Sequence, residues 1–324
     1  MTKNKFQTAV EIPQFPKKTG YNMKNMFMGS CFTEKVGGKM EALKFQTDIN
    51  PFGITYNPAS LAGGIWRLLQ NKEFQKDDLI EHNGLWHSFS HHGNFSSVSA
   101  EETLQKINER VGYSSVFLRN TDFLFLTFGT AWVYEYKKTG KVVSNCHKIP
   151  ENEFKRYRLT VDEIAEEYKN LLCEIKKENQ NCRVIFTVSP IRHWKDGAVE
   201  NQRSKATLLL AIDKILAEQG NENCSYFPAY EIVMDELRDY RFYADDMIHI
   251  SDVAINHIWE IFEKNLIDAE SAKIIPQVQK INKAHHHRPF NKNSPEYISF
   301  LKSTSKKVKE LEIKFPNINF EEIE

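Results

Sequence analysis

Short, continuously apolar runs alternate along this chain with longer stretches in which apolar residues recur every three to four positions. The run Met23–Met28 predicts a first strand. Phe32, Val36, Met40 and Leu43 follow at helical spacing, so a helix is expected to start just after Ser30. A short extended segment leads into Asn50-Pro51-Phe52-Gly53, and the Asn/Pro/Gly punctuation through Asn57-Pro58 predicts a shaped loop before a helix over Ala59–Leu69. Residues 74–98 have little periodicity and read as an inserted loop or a small cap over the sheet edge. Ser99 is placed to cap a helix over Ala100–Val111, with Glu102 as its third-position acid.

Asp122–Phe128 is apolar except at its edges, as a central parallel strand covered on both faces should be. A hairpin is expected over Val133–Val143, turning at Lys138-Thr139-Gly140, within a second insertion around 133–158. Thr160 caps a helix over Val161–Lys177. Arg183–Val188 is a further buried strand, Ser204–Gln219 a helix, Ser225–Pro228 a last short strand, and Ser251–Phe262 a helix. Strand and helix alternating four or five times predict a doubly wound α/β domain with a mainly parallel sheet. Past about Asp268 the pattern weakens. Residues 269–324 read as a C-terminal extension, with one packed helix over Tyr297–Leu311 whose Lys-rich face is solvated.

Composition narrows the function classes. The 324 residues carry 43 Lys+Arg and 43 Asp+Glu, a formal net charge of zero that argues against bulk binding of nucleic acid or an anionic membrane. No run approaches the ~20 apolar residues of a membrane span. The first residues lack the apolar core of a secretory signal, so a cytoplasmic location is expected, unless a signal has been removed. Five cysteines, at positions 31, 146, 173, 182 and 224, form no CxxC pair and read as reduced thiols. Neither GxGxxG after the first strand nor GxxxxGK[ST] is present, so no nucleotide cofactor is expected. His82, His87, His91, His92, Cys146, His147, His193 and His249 are potential ligands, but none falls in HExxH spacing and no metal is assigned. The triplet His285–His287 reads as adventitious.

Ligands of open parallel sheets collect at the carboxyl ends of the strands. Five loops converge there under this assignment, carrying Ser30, Asn50–Gly53, Gly129–Trp132, Ser189–His193 and Asp246–His249. Ser30 is the candidate nucleophile, His249 its base and Asp246 the group that orients the imidazole. Gly-Ser after a strand also serves as a plain helix N-cap, and Asp-x-x-His also occurs in turns. Backbone N–H groups of Ser30 and Gly53, with the side chain of Asn145, are candidate oxyanion donors. A glycine needed for its backbone angle and a turn asparagine are the alternatives. Trp132, Arg192 and His193 are candidate substrate contacts, Arg192 and His193 for a carboxylate or a sugar hydroxyl, with a structural arginine and a hydrogen-bonded histidine as the alternative. The aromatic groups Tyr226, Phe227, Tyr230 and Tyr240, Phe242, Tyr243 read first as packing.

Several strings, in order, resemble the GSCFA family, a branch of the SGNH or GDSL-like serine hydrolases. They are Gly29–Glu34 (GSCFTE), Asn50–Pro58 (NPFGITYNP), Thr127–Tyr134 (TFGTAWVY), Asn145–Lys148 (NCHK), Ser189–Gly197 (SPIRHWKDG) and Tyr226–His249. The resemblance spans about residues 20–262. It implies a three-layer α/β/α sandwich with a flavodoxin-like sheet over 1–268, Ser30 as first-block nucleophile, Gly53 as second-block oxyanion glycine, and Asp246 and His249 as the final pair. The group's third-block Gly-x-Asn-Asp is here Gly129-Thr130-Ala131-Trp132, so the usual side-chain donor is missing from its place. Ile250 stands after His249 where proline is common. The function expected is removal of a small O-acyl group from a carbohydrate-like substrate through an acyl-serine. The alternatives are O-acyl transfer at the same site, a non-catalytic carbohydrate or metabolite binder, and a metal hydrolase. The expected partner is a small-molecule or glycan ester, and the oligomeric state is not read.

Overall fold

The computed structural model describes residues 7–220, 223–285, 290–291 and 293–320. Most of the histidine triplet, His286 and His287, lies outside the described residues, as do the first six residues. In chain order the elements begin with β1 (Lys24–Gly29), α1 (Cys31–Ala42), β2 (Gln46–Ile49), α2 (Pro58–Gln70), β3 (Leu79–His82), β4 (Leu85–Ser88) and α3 (Ala100–Arg119). They continue with β5 (Phe123–Phe128), β6 (Trp132–Tyr136), β7 (Lys141–Val143), β8 (Phe154–Arg158), α4 (Val161–Glu178), β9 (Arg183–Val188), α5 (Gly197–Gln219) and β10 (Cys224–Tyr226). A single turn α6 (Ala229–Glu231) runs into a π-helical turn over Ile232–Glu236, and α7 (Asp252–Leu266), α8 (Ala269–His285) and α9 (Pro295–Lys314) close the chain.

Five strands form one parallel sheet in the order β2-β1-β5-β9-β10. The connection from β1 leads outward to β2, whereas later strands add on the other side of β1. The crevice where the order reverses therefore lies at the carboxyl ends of β1 and β5.

Strand alternation divides the core in two. Met26, Met28, Leu124, Leu126, Phe128, Val184 and Phe186 face α2–α5, with Ile65, Leu68, Ile107, Tyr168 and Leu208 packed on them. The intervening Phe27, Phe123, Phe125 and Ile185 face α1, α7 and α8. Phe27 pairs with Phe125 in register, and their rings stack at 4.4 Å. Continuous apolar strands are what burial on both faces requires. The result is a mixed α/β architecture with helices on both faces of a parallel sheet.

Several elements differ from the sequence reading. Residues 74–98 hold an antiparallel hairpin, β3–β4, whose short strands mix exposed and buried positions without clean alternation. The expected hairpin is present as β6–β7, but β6 also pairs with β8, making a three-stranded sheet. Helix α3 continues to Arg119, and α5 begins at Gly197. The weakened pattern past Asp268 conceals α8, a helix with Pro276 inside it. Burial of Ile274, Ile275, Val278 and Ile281 against the second core holds α8 despite the lost backbone donor. Phe315, Ile318 and Phe320, beyond α9, join the same core.

The start of α4 shows how local signals set an element. Thr160 Oγ1 accepts from Glu163 N–H at 3.2 Å, and Glu163 Oε2 accepts from Thr160 N–H at 2.7 Å. This capping box satisfies two donors that a helix start otherwise leaves open. Thr160→Ala is expected to cost about 1 kcal/mol, read as a lower urea midpoint at unchanged slope. A midpoint equal to wild type would mean the cap contributes nothing.

Candidate active site

Ser30 directly follows β1 and is the N-cap residue of α1, yet its hydroxyl makes no capping hydrogen bond. The residue is 2% exposed and its Oγ has no hydrogen-bond partner. A buried hydroxyl normally finds a partner, so the plain N-cap role does not account for this one.

The Asn50–Pro58 string builds the clamp around it. Asn50 Oδ1 accepts from Gly29 N–H at 2.8 Å, and Thr55 N–H donates to Gly29 O at 3.0 Å. Tyr56 O accepts from Gly129 N–H and Thr130 N–H at 2.8 and 3.0 Å, tying the same loop to the end of β5. Asn57 Oδ1 then accepts from Ser60 N–H and starts α2, with Pro58 at its first turn. Gly53 has φ +76°, and a Cβ there would lie 2.3 Å from His92 Cβ. Its N–H donates to Asn50 O at 2.8 Å, so it is engaged in a turn of its own loop.

The final pair does meet. His249 Nδ1 is 2.5 Å from Asp246 Oδ2, while Asp246 Oδ1 accepts from Ile248 N–H and His249 N–H at 2.9 Å each. The histidine bond, then the two backbone donors, hold the Asp246 carboxyl down at about 2. That arrangement fixes the imidazole and leaves Nε2 for other work. The His249 side chain is 54% exposed, however, against 2% for Ser30, and no hydrogen bond joins them. Arg192 reaches this turn through a hydrogen bond to Met247 O. Its guanidinium also lies over the rings of Trp194 and Tyr243, 4.8 Å from each centroid. Arg192 lines a cleft of about 480 Å³ with Gln202, Tyr230, Val233, Leu237, Tyr240 and Tyr243. Tyr230, Tyr240 and Tyr243 thus wall a cleft, whereas Phe227 is core.

The remaining candidates are spread more widely. His193 N–H donates to Asn201 Oδ1 at 2.9 Å, and its ring lies 6.0 Å from that of Tyr56. Burial lowers its pKa. Trp132 lies under the Arg156 guanidinium, 4.3 Å from its ring centroid, and its Nε1 is buried without a partner. Asn145 is held in a turn: its Oδ1 accepts from His147 N–H at 2.9 Å and its N–H donates to Phe89 O. Among the described residues, no hydrogen bond joins Asn145 to the Ser30 turn, so it supplies no side-chain donor there by direct contact.

The histidines of the insertion are packing groups in this arrangement. His91 is fully buried among Phe52, Phe74 and Phe95, with Nδ1 2.9 Å from Ser88 Oγ and Nε2 unpartnered. His147 stacks on His87 at 4.4 Å and bonds Ser88 O through Nε2 at 2.8 Å. Among the described residues, no group of three or more His, Cys, Asp or Glu side chains is placed to hold a metal ion. Desolvation pushes His91 down to about 3 and His147 to about 4. Both are neutral when folded, whereas the unfolded chain protonates them near the ordinary histidine value. The unfolded state therefore binds more protons between about pH 6.5 and 3, and stability falls as pH falls through that window. His91→Phe is expected to reduce that slope by up to about 1.4 kcal/mol per pH unit, measured by urea unfolding from pH 7 to 4. An unchanged acid limb would show that His91 does not titrate on unfolding.

Lys205 was not anticipated. It is 1% exposed in α5, and its Nζ donates to Gly129 O at 2.7 Å and Ser189 O at 2.6 Å. The signal was a lysine in line with Leu208, Ile212 and Ile215 on the buried stripe of a helix.

The chain belongs to the GSCFA family, whose model matches residues 24–262, and a model described as the GSCFA domain protein C-terminal domain matches residues 278–323. A search of curated proteins returns no match. Among solved structures, an acetyl xylan esterase (Est2A) from the rumen bacterium Butyrivibrio proteoclasticus is similar at 12% identity and TM-score 0.37, covering 79% of this chain and 66% of its own. A carbohydrate esterase family 3 protein from Talaromyces cellulolyticus is similar at 11% identity and TM-score 0.34, covering 81% and 99%. At these scores the likeness assigns nothing to particular residues. Among the described residues, no helix is long and apolar enough to cross a membrane.

Proposed function

We propose that this protein is a serine esterase of the SGNH or GDSL-like kind, removing small O-acyl groups from a carbohydrate-like substrate on a flavodoxin-like three-layer sandwich. The observation that carries this reading is the Asp246–His249 pair, bonded at 2.5 Å with two backbone donors on the second carboxylate oxygen. Such a pair holds an imidazole in one tautomer and stabilises it once protonated. The hydroxyl it would serve is Ser30 Oγ, at the switch-point end of β1 and free of other hydrogen bonds.

In the reaction, Ser30 Oγ attacks the acyl carbonyl while His249 Nε2 takes its proton. The oxyanion is received by the backbone N–H of Ser30 and by that of Gly53, which must turn from Asn50 O to do so. Collapse expels the alcohol, protonated by His249, and water then releases the acyl group from Ser30 by the same steps. The exposed Asp246–His249 turn has to settle onto Ser30 when substrate fills the cleft. Catalytic hydrogen bonds are often long before substrate binds. The Arg192-lined cleft beside that turn supports a second reading, transfer to a bound hydroxyl acceptor in place of water.

The test is reaction with a fluorophosphonate, followed by a panel of acyl esters differing in chain length and alcohol. An adduct on Ser30, and ester turnover without added metal, are the expected results. Absence of any adduct would return the protein to the non-catalytic binding reading.

A further inference from the structure

Lys205 is a buried cation with no carboxylate partner among the described residues, and it sits where the sheet's ligand crevice is. Its two hydrogen bonds go to Gly129 O and Ser189 O, the first carbonyls past β5 and β9. From α1, the Cys31 thiol next to Ser30 interacts with it electrostatically. From the loop after β9, His193 is influenced by its charge, and from α6 the Tyr230 ring lies 5.8 Å from its Nζ. Cys31, His193 and Tyr230 are the titratable groups set around it among the described residues. Taking a lone ammonium out of water is costly unless its charge is used or lost. Holding two carbonyls does not require the charge, because a neutral amine also has two N–H donors.

We propose that Lys205 is a positioning residue for the Ser30 turn, its ammonium joining the ends of β5 and β9 and its charge favouring an oxyanion at a turn where the third-block side-chain donor is absent. The assignment rests on the serine-esterase reading. Desolvation lowers the Lys205 pKa to about 7, so the charge is present below neutrality and lost above it. A clamp without electrostatic function would be indifferent to that change.

The experiment measures the rate of Ser30 phosphonylation between pH 6 and 9 in the wild type, Lys205→Arg and Lys205→Met. In that reaction the Ser30 Oγ–P bond forms, the P–F bond breaks, fluoride leaves and the serine proton passes to the base. The adduct is located by mass spectrometry, and melting temperatures are recorded at each pH. The ratio of wild-type to Lys205→Arg rates is expected to fall about tenfold from pH 6 to 9, because arginine keeps its charge. Folded Lys205→Met should be about tenfold slower than wild type at pH 6 and similar to it at pH 9. A pH-independent ratio to Lys205→Arg, or folded Lys205→Met matching wild type at pH 6, overturns the assignment. If Lys205→Met does not fold, the arginine comparison decides alone. No phosphonylation of wild-type Ser30 at any pH would instead overturn the esterase reading, and this assignment with it.

Discussion

Ser30→Ala is expected to abolish labelling by a fluorophosphonate and to lower ester turnover by a factor on the order of 10³ to 10⁶, as loss of an attacking hydroxyl does elsewhere. Its effect on stability should have the opposite sign. The Ser30 hydroxyl is buried, makes no hydrogen bond, and does not cap α1. Removing an unsatisfied buried hydroxyl is neutral or stabilising by up to about 1 kcal/mol. A structural N-cap would behave otherwise, losing about 1 kcal/mol on the same change. The pairing of lost activity with retained or raised stability is therefore the discriminating result. Turnover within tenfold of wild type, or a clear loss of stability with activity kept, would mean that Ser30 is a cap after all.

Gly29→Ala is expected to destabilise the protein by about 3 kcal/mol or more. Gly29 has φ +151°, which an L side chain rarely adopts, and a Cβ built there lies 2.5 Å from Thr127 O and 2.8 Å from Thr127 Cβ. The clash is with the neighbouring strand, so relief requires β1 and β5 to separate in the middle of the sheet. Its peptide is also pinned on both sides, through Asn50 Oδ1 and Thr55 N–H. Gly38, in the middle of α1, supplies the comparison: nothing lies within 4 Å of a Cβ there. Gly38→Ala is expected to stabilise by roughly 0.5 to 1 kcal/mol. Urea unfolding of the two variants measures both. Equal midpoints would show that β1 tolerates a side chain at Gly29 and that its glycine serves no packing need.

The two variants bracket the Ser30 turn, one testing its hydroxyl and the other the backbone that presents it. Lys205 adds a third test from the neighbouring strand ends. These experiments separate a turn shaped for chemistry from a turn that merely joins a strand to a helix.

Much of the fold was legible because its signals are local. Asp122–Phe128 and Arg183–Val188 are apolar enough to name themselves as central strands, and the observed β5 and β9 match them within a residue. Thr160 with Glu163, and Ser99 before α3, mark helix starts through side-chain bonds spanning three residues. Where packing outweighs local preference the reading fell short. Pro276 argues against a helix, yet four buried apolar side chains hold α8 together around it. The strands of β3–β4 are short and half exposed, and their pairing is set by contacts with the rest of the chain.

At the site the same division holds. Residue types and order were enough to single out Ser30, Asp246 and His249, and a three-residue spacing was enough to join Asp246 to His249, because that bond closes within one turn. Sequence could not place Ser30 at 2% exposure and His249 in the open, since depth depends on which elements fold over each loop. Nor could it show that Gly53 N–H is occupied by Asn50 O, or that Asn145 turns back on His147. Lys205 is the sharpest case. In the sequence it is one of two lysines on a helix, and 76 residues separate it from Gly129. Only the packing of α5 against the ends of β5 and β9 turns it into a desolvated charge. Desolvation is a property of the assembled fold, which no stretch of sequence carries.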